Sequence, residues 1–457
     1  MIRQLARTAR QISTSAPLRG VQDSSAFIRE SPVVHKKTWI EALRTRNELL
    51  EEHPEMAKKG IVFAHNDVKT REVSSRTTSD SFTAVVFPFK DNKWFLDGYI
   101  NAFGRFRMGQ LFMDLDRLSG IVANKHCEPA EPVIVTASVD RILLLKRLDD
   151  LSDHNVVLWG YVSWTGRSSM EITIHASSTT SSFSESEPIT LESCRELDTW
   201  LVANFTFVAR DPETQRAFAV NHLKPTTRGE LTEFVMAEKY NERKKKVAKR
   251  DALTISPPSS EESKDVHDLW LRRRFSVDGK DANGKKIVSM DDTKVYSTGI
   301  MQPQYRNRHS FMIFGGYMMR QTFELAYACA GAFSHLPPRF VSLDTVSFRN
   351  PVPVGSVLNL TAFVAYTQPS KREIKMVDGD TKVQNGTLTQ IRVQSVVRGL
   401  DNEDHKDAGT FIYSFFTEGE SSYEMIPESY EEMMIYLEGR RQAGQSREYL
   451  HDLVEAH

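Results

Sequence analysis

The chain has 457 residues, enough for more than one hydrophobic core, so two domains with connecting segments is the natural organisation. With 59 basic against 60 acidic side chains the net charge is −1, which leaves no electrostatic case for nucleic acid or an anionic membrane surface as partner. No apolar run approaches the roughly 20 residues that span a bilayer, so stable membrane insertion is not expected, and Cys127, Cys194 and Cys329, far apart and odd in number, fit a reducing compartment without a disulfide framework.

Residues 1–20 carry Arg3, Arg7, Arg10 and Arg19 and no acid. Arg3, Arg7 and Arg10 fall on one helical face, with Ile2, Leu5, Ala9 and Ile12 supplying an apolar side, and Ser13 and Ser15 follow. This reads as a mitochondrial transit peptide and predicts a matrix location. Residues 21–78 form a polar extension with a helical pattern from Lys36 to Glu52.

A first unit is expected over residues 79–211. Phe82-Thr-Ala-Val-Val-Phe is β-rich and stops at the turn signal Asp91-Asn92. A helix opening at Gly109 carries Leu111, Phe112, Leu115 and Leu118 on one face. In the run from Ser169, Met170, Ile172 and Ile174 alternate with Glu171, Thr173 and His175, the period of a half-buried strand.

Residues 212–290 read as a charged helical linker: a helix over Glu230 to Arg250, a break at Ser256-Pro-Pro-Ser, and a capping box of Ser259 with Glu262. A second unit is expected over 291–417, with an insert at Lys371 to Gly386 whose turn signals are Asp378-Gly379 and Asn385-Gly386. The tail, 418–457, reads as helical, with Met433, Met434 and Leu437 as its apolar stripe.

The two units repeat one another. Gly109 and Gly315 each open an apolar helix, Asp140 and Asp344 sit in similar strands, Trp164-Thr165 and Tyr366-Thr367 end alternating strands, and Phe205 and Tyr413 lie in closing strands. Each pair is about 200 residues apart. One helix among several alternating strands predicts an α+β fold, an antiparallel sheet with a helix on one face, present twice as an intrachain pseudo-dimer. Exposed sheet edges and helix faces predict a homo-oligomer.

This order of elements resembles the acyl-coenzyme A thioesterases with tandem hotdog domains. The resemblance runs from about Ser79 to Arg441. It is carried by Val162-Ser-Trp-Thr-Gly-Arg-Ser-Ser-Met-Glu, Phe207-Val-Ala-Arg-Asp, Ile313-Phe-Gly-Gly-Tyr-Met-Met-Arg, Phe348-Arg-Asn-Pro-Val-Pro-Val-Gly-Ser and Tyr436-Leu-Glu-Gly-Arg-Arg. It implies two hotdog domains, each a curved sheet wrapped around a helix, and hydrolysis of fatty acyl-CoA to free acid and CoA. No resident cofactor is implied, since coenzyme A is part of the substrate and a product.

Thioester hydrolysis needs an activated water and donors for the oxyanion. Gly109, Gly315 and Gly316 sit where the central helices begin and their N–H groups are free for that role; the alternative is that these glycines only permit tight packing. Candidate bases are Asp116, Asp114 and Glu324, with Asn101 as a water-orienting group. Asp114 and Asp116 lie about 200° apart around a helix, so at most one faces a shared site. Glu324 has a bland alternative, pairing with Arg320 one turn earlier.

Related thioesterases carry Asp or Asn two residues before Phe-Gly-Gly; here that position is Met312, and its counterpart in the first unit is Phe106, so the usual side chain is absent from both. His309 is the nearest substitute base. Arg167, Ser168 and Ser169 form a basic turn suited to the phosphates of CoA, with an ordinary hairpin turn as the alternative, while Arg105 and Arg107 flank the approach to the first helix. Asp140 and Asp344 read as structural. The histidines and cysteines lack metal-ligand spacing, so no metal is expected, and there is no Gly-x-Ser-x-Gly elbow. The competing readings are a hotdog hydratase, for which no Asp-x-x-x-x-His arrangement is found, and a non-catalytic acyl-CoA sensor or scaffold, which the apolar Met312 and Phe106 leave open.

Overall fold

Alternating strands in both units find partners in one continuous ten-stranded antiparallel sheet. The computed structural model describes residues 68–456, apart from 184–187, 213, 215, 247–252, 282–283, 308–311, 378 and 401–404. The basic N-terminal segment, the helical pattern from Lys36 to Glu52, and His309 lie outside the described residues.

The first unit contributes β1 (Thr83–Phe87), β2 (Val133–Leu144), β3 (Asn155–Thr165), β4 (Ser169–Thr179) and β5 (Asp198–Arg210), hydrogen-bonded in the order β1-β3-β4-β5-β2. The second contributes β6 (Val295–Ile300), β7 (Arg339–Phe348), β8 (Val357–Lys375), β9 (Thr381–Arg398) and β10 (His405–Glu418), in the order β6-β8-β9-β10-β7. The topology is the same in both halves. The units join where β2 pairs antiparallel with β7, Val139 opposite Val346 and Ile142 opposite Leu343. The repeat extends to irregularities of the ladder. Bulges fall between Val162 and Trp164 in β3 and between Val364 and Tyr366 in β8, at the aromatic-Thr landmarks. Bulges bend a strand and increase its twist, and here they curl each half-sheet around a helix at the same point.

Those helices are α1 (Met108–His126) and α4 (Gly315–Ser334). The linker provides α2 (Arg228–Lys246) and α3 (Ser260–Arg274), and the tail provides α5 (Tyr430–Ala456). Each half is a hotdog, a curved antiparallel sheet around one central helix. The stripe Leu111, Phe112, Leu115 and Leu118 is fully buried, as its spacing predicts. Helix α4 lies across α1. Phe112 packs edge-on against Phe323 with ring centroids 5.2 Å apart. At the crossing, a Cβ added to Gly316 would stand 2.9 Å from Met113 Cα, so only glycine lets the helices approach this closely.

Two expectations need correction. The strand from Ser169 is buried on both faces: Glu171 and His175 are each only 8 % exposed. His175 stacks on Trp159 of the neighbouring strand, 4.2 Å between ring centroids, and Glu171 is covered by the linker. Helix α2 lies over the outer face of β3 and β4, Asn241 donates to Glu171 at 3.2 Å, and Tyr161 donates to Glu233 at 2.9 Å. Residues 212–290 therefore do more than connect. On the other half α5 covers β8, burying Met433 and Leu437 of its predicted stripe. The second correction concerns Asn385-Gly386, which is not a turn. Both residues sit inside β9, opposite Lys371 and Ser370 of β8, and the hairpin turns instead at residues 376–380, where Gly379 has φ +93°. Gly386 serves close packing: a Cβ there would meet Thr417 carbonyl oxygen at 2.2 Å.

Other local signals act as written. Ser259 caps α3, accepting from Glu262 N–H, while Glu262 reaches back to Ser259 N–H. Asp140 accepts from Thr206 and Lys244, and Asp344 from Ser414, Gln390 and Ser446, so both tie the outer sheet face to its covering helices.

Candidate active site

The antiparallel α1–α4 pair brings each helix N-terminus beside a carboxylate from the other unit. Two related sites result, and they differ.

At the first, α4 begins at Gly315, after an N-cap, Phe314, whose side chain makes no cap. A carboxylate from the other unit takes that place. Asp116 Oδ2 accepts from Gly316 N–H at 2.7 Å, and its Oδ1 accepts from Thr136 hydroxyl at 3.2 Å. Asp116 is 2 % exposed, and its Oδ2 lies 3.1 Å from where a Cβ on Gly315 would stand. Burial pushes the carboxyl up to about 7, while the bonds from Gly316 and Thr136 pull the other way. The group is therefore poised between acid and carboxylate near neutral pH, where a general base works best. Thr136 is a site residue that the sequence reading missed. Its signal was present in the repeat: its counterpart beside the equivalent bulge is Phe340.

The basic turn belongs to the same end of the sheet. Met170 pairs with Phe207, and Phe207 with Thr136, so the Arg167–Ser169 turn lies level with Thr136 two strands away, about 10 Å at normal strand spacing. Arg167 is exposed, and the carbonyls of Arg167 and Ser168 accept from Val220 and Ala209 N–H groups.

Asp114 points elsewhere, as helix geometry requires. It is 4 % exposed and accepts from Tyr99 hydroxyl at 2.8 Å. Met312 has a β-bridge to Pro353, and its carbonyl accepts from Asn307 N–H.

At the second site, α1 begins beside Glu324. Gly109 is the close-approach point: a Cβ there would lie 3.2 Å from Glu324 Oε1. Glu324 is not buried, and Arg107 donates to it at 3.3 Å; its partner is thus Arg107 of the other unit and not Arg320. Asn101 is occupied with the loop before α1, its Oδ1 accepting from Phe103 and Arg105 N–H groups. Phe106 is buried against Trp200, 5.4 Å between ring centroids. The sequence candidates thus divide. Asp116, Gly315 and Gly316 meet at one site, Gly109, Glu324 and Asn101 gather at the other, and Asp114 belongs to neither.

Comparison with known proteins finds relatives along most of the chain. No family model matches the chain. The chain is 32 % identical to mitochondrial acyl-coenzyme A thioesterase 9 of Mus musculus over 398 residues, covering 84 % of this chain and 82 % of the relative. It is 31 % identical to mitochondrial acyl-coenzyme A thioesterase 10 of Mus musculus over the same shares. It is 34 % identical to chloroplastic acyl-coenzyme A thioesterase 2 of Humulus lupulus, covering 65 % of this chain and 66 % of that one. Among solved structures, an acyl-CoA hydrolase of Staphylococcus aureus in complex with butyryl coenzyme A and coenzyme A is 21 % identical, with a TM-score of 0.31, over 37 % of this chain and 95 % of its own. The assignment rests on the long sequence matches together with the doubled fold: the chain belongs to the acyl-coenzyme A thioesterase family.

Proposed function

We propose that this protein hydrolyses fatty acyl-coenzyme A thioesters to free fatty acid and coenzyme A, with Asp116 as the base. The observation that carries this is a buried carboxylate of one unit, with its pKa raised to about 7, seated on the helix N-terminus of the other. Ionised Asp116 takes a proton from a water, and the resulting hydroxide attacks the thioester carbonyl carbon. The oxyanion that forms is met by Gly315 N–H, the first of α4, at the positive end of the helix dipole. The C–S bond then breaks, coenzyme A leaves as thiolate, and the proton held on Asp116 passes to sulfur. Thr136 positions the carboxylate. The Arg167–Ser169 turn, at the same end of the sheet, suits the CoA phosphates.

Coenzyme A enters as part of the substrate and leaves as product, so the chemistry calls for no resident cofactor. The mitochondrial names of the relatives support a mitochondrial location, and the acid-free basic start of the chain supports the matrix. Self-association has support in edge strand β6, where Tyr296 and Ile300 are exposed. No described helix is long and apolar enough to cross a membrane.

The test is release of free CoA from short-, medium- and long-chain acyl-CoA by the protein and by Asp116→Asn. Turnover that collapses in the variant is the expected result. Saturable binding without turnover at any chain length would instead make the protein an acyl-CoA sensor, the reading that apolar Met312 and Phe106 leave open.

A further inference from the structure

The second helix-end site opens into a cavity of about 240 Å³ between the loop before α1, the start of β7 and α4. Its walls are apolar, with Phe106, Trp200, Phe340, Leu144 and Leu148 among them. Its rim is cationic: Arg105, Arg107, Arg147 and Arg339 all line it. Three of these have carboxylate partners. Arg107 pairs with Glu324, while Arg147 and Arg339 share Asp149 and Glu418. Arg105 does not: its Nη1 is buried with no hydrogen-bond partner among the described residues. The Tyr327 hydroxyl, on the same cavity, is likewise buried and unpartnered. Burial holds the Tyr327 pKa above its ordinary value, so it remains a donor. Two buried donor atoms without an acceptor, one of them on a charged guanidinium, leave part of their desolvation cost uncompensated. An anion between them would remove it.

We propose that this cavity is a non-hydrolytic binding site for an amphiphilic carboxylate, with its head group accepting from Arg105 and Tyr327 and its chain against Phe106, Trp200 and Phe340. A cavity of 240 Å³ is smaller than the roughly 300–1,000 Å³ that enclose drug-sized ligands, so a whole coenzyme A thioester does not fit and a carboxylate with a short or medium apolar chain does. A free fatty acid has this chemistry. Its identity as the protein's own product rests on the hydrolysis proposed above; the site itself does not. Glu324 cannot act here as Asp116 does, since it is solvent-exposed and tied to Arg107, so a ligand is held and not cleaved.

The test is calorimetric titration of the full chain with decanoate at pH 8, beside decanol and inorganic phosphate. Saturable decanoate binding is expected in the parent and, undiminished, in Asp116→Asn. Arg105→Met should weaken it about tenfold or more, as loss of a charged hydrogen bond implies, and Tyr327→Phe about three- to tenfold. Decanol and phosphate should bind far more weakly. Thermal melts of both variants check that each is folded, and Tyr327→Phe carries the test if Arg105→Met is not. Absence of saturable decanoate binding, binding indifferent to both rim substitutions, binding lost in Asp116→Asn, or phosphate binding as tightly as decanoate would each overturn the proposal. None of these readings needs turnover, so failure here is separate from failure of the hydrolytic assignment, which thiol release measures.

Discussion

The two ends of the α1–α4 pair share a scaffold and present opposite electrostatics. At one end Asp116 is taken out of water and meets only a backbone N–H and a threonine hydroxyl, so its charge is costly and its proton is held to about pH 7. At the other, Glu324 stays in solvent and pairs with Arg107, with side chains 46 % and 38 % exposed. The difference teaches that a doubled fold does not double a site. Depth of burial and the choice of neighbour, threonine or arginine, decide which carboxylate can exchange protons usefully near neutral pH.

The sharpest way to break this contrast is to neutralise each acid. Asp116→Asn is expected to lower kcat by about 10²–10⁴-fold, and Glu324→Gln by less than about twofold, in assays of CoA thiol release. A collapse in Glu324→Gln with Asp116→Asn intact would exchange the roles of the two ends.

Next in size is Gly316→Ala. The new methyl would meet Met113 backbone at 2.9 Å, so the helices must part, at a cost of about 1–3 kcal/mol in denaturant unfolding, with activity falling as Gly316 N–H leaves Asp116. An alanine variant as stable and active as the parent would show that this close approach is dispensable.

The pH dependence sharpens the comparison further. With Asp116 titrating at about 7, kcat/KM should climb between pH 6 and 8. Thr136→Val removes a hydrogen bond to the ionised form and should move that limb upward by about 0.5–1 pH unit. Stability runs the opposite way. The folded pKa lies above the ordinary value of 3.8, so the folded state holds a proton that the unfolded state releases over pH 4–7. Raising pH through that window therefore costs stability, and Asp116→Asn should gain in Tm relative to the parent more at pH 8 than at pH 5. An equal difference at the two pH values would mean that Asp116 titrates normally.

The smallest effect belongs to the other end. Arg107→Met breaks an ion pair that is more than a third exposed on both sides, so less than about 1 kcal/mol of stability is at stake in thermal unfolding. A larger loss would mean that the pair holds the helix ends together.

Much of this was written in the chain. The 200-residue repeat, the Gly109 and Gly315 helix starts, the aromatic-Thr strand landmarks and the Ser259 cap are local patterns, each set by a spacing or a turn preference that neighbouring residues decide, and the fold follows them. Helical periodicity also separated Asp114 from Asp116. What the sequence could not decide was which groups meet across 200 residues. That Asp116 reaches Gly316, that Thr136 stands beside it, and that Glu324 pairs with Arg107 instead of Arg320 depend on the register of β2 against β7 and the crossing of α1 over α4. The burial of Glu171 under the linker helix had no local signal either, because an alternating strand reads the same whether its polar face meets water or another helix. Local preference fixes elements; desolvation and charge pairing, which bury one carboxylate on a helix end and tie the other to an arginine, arise only when the elements pack.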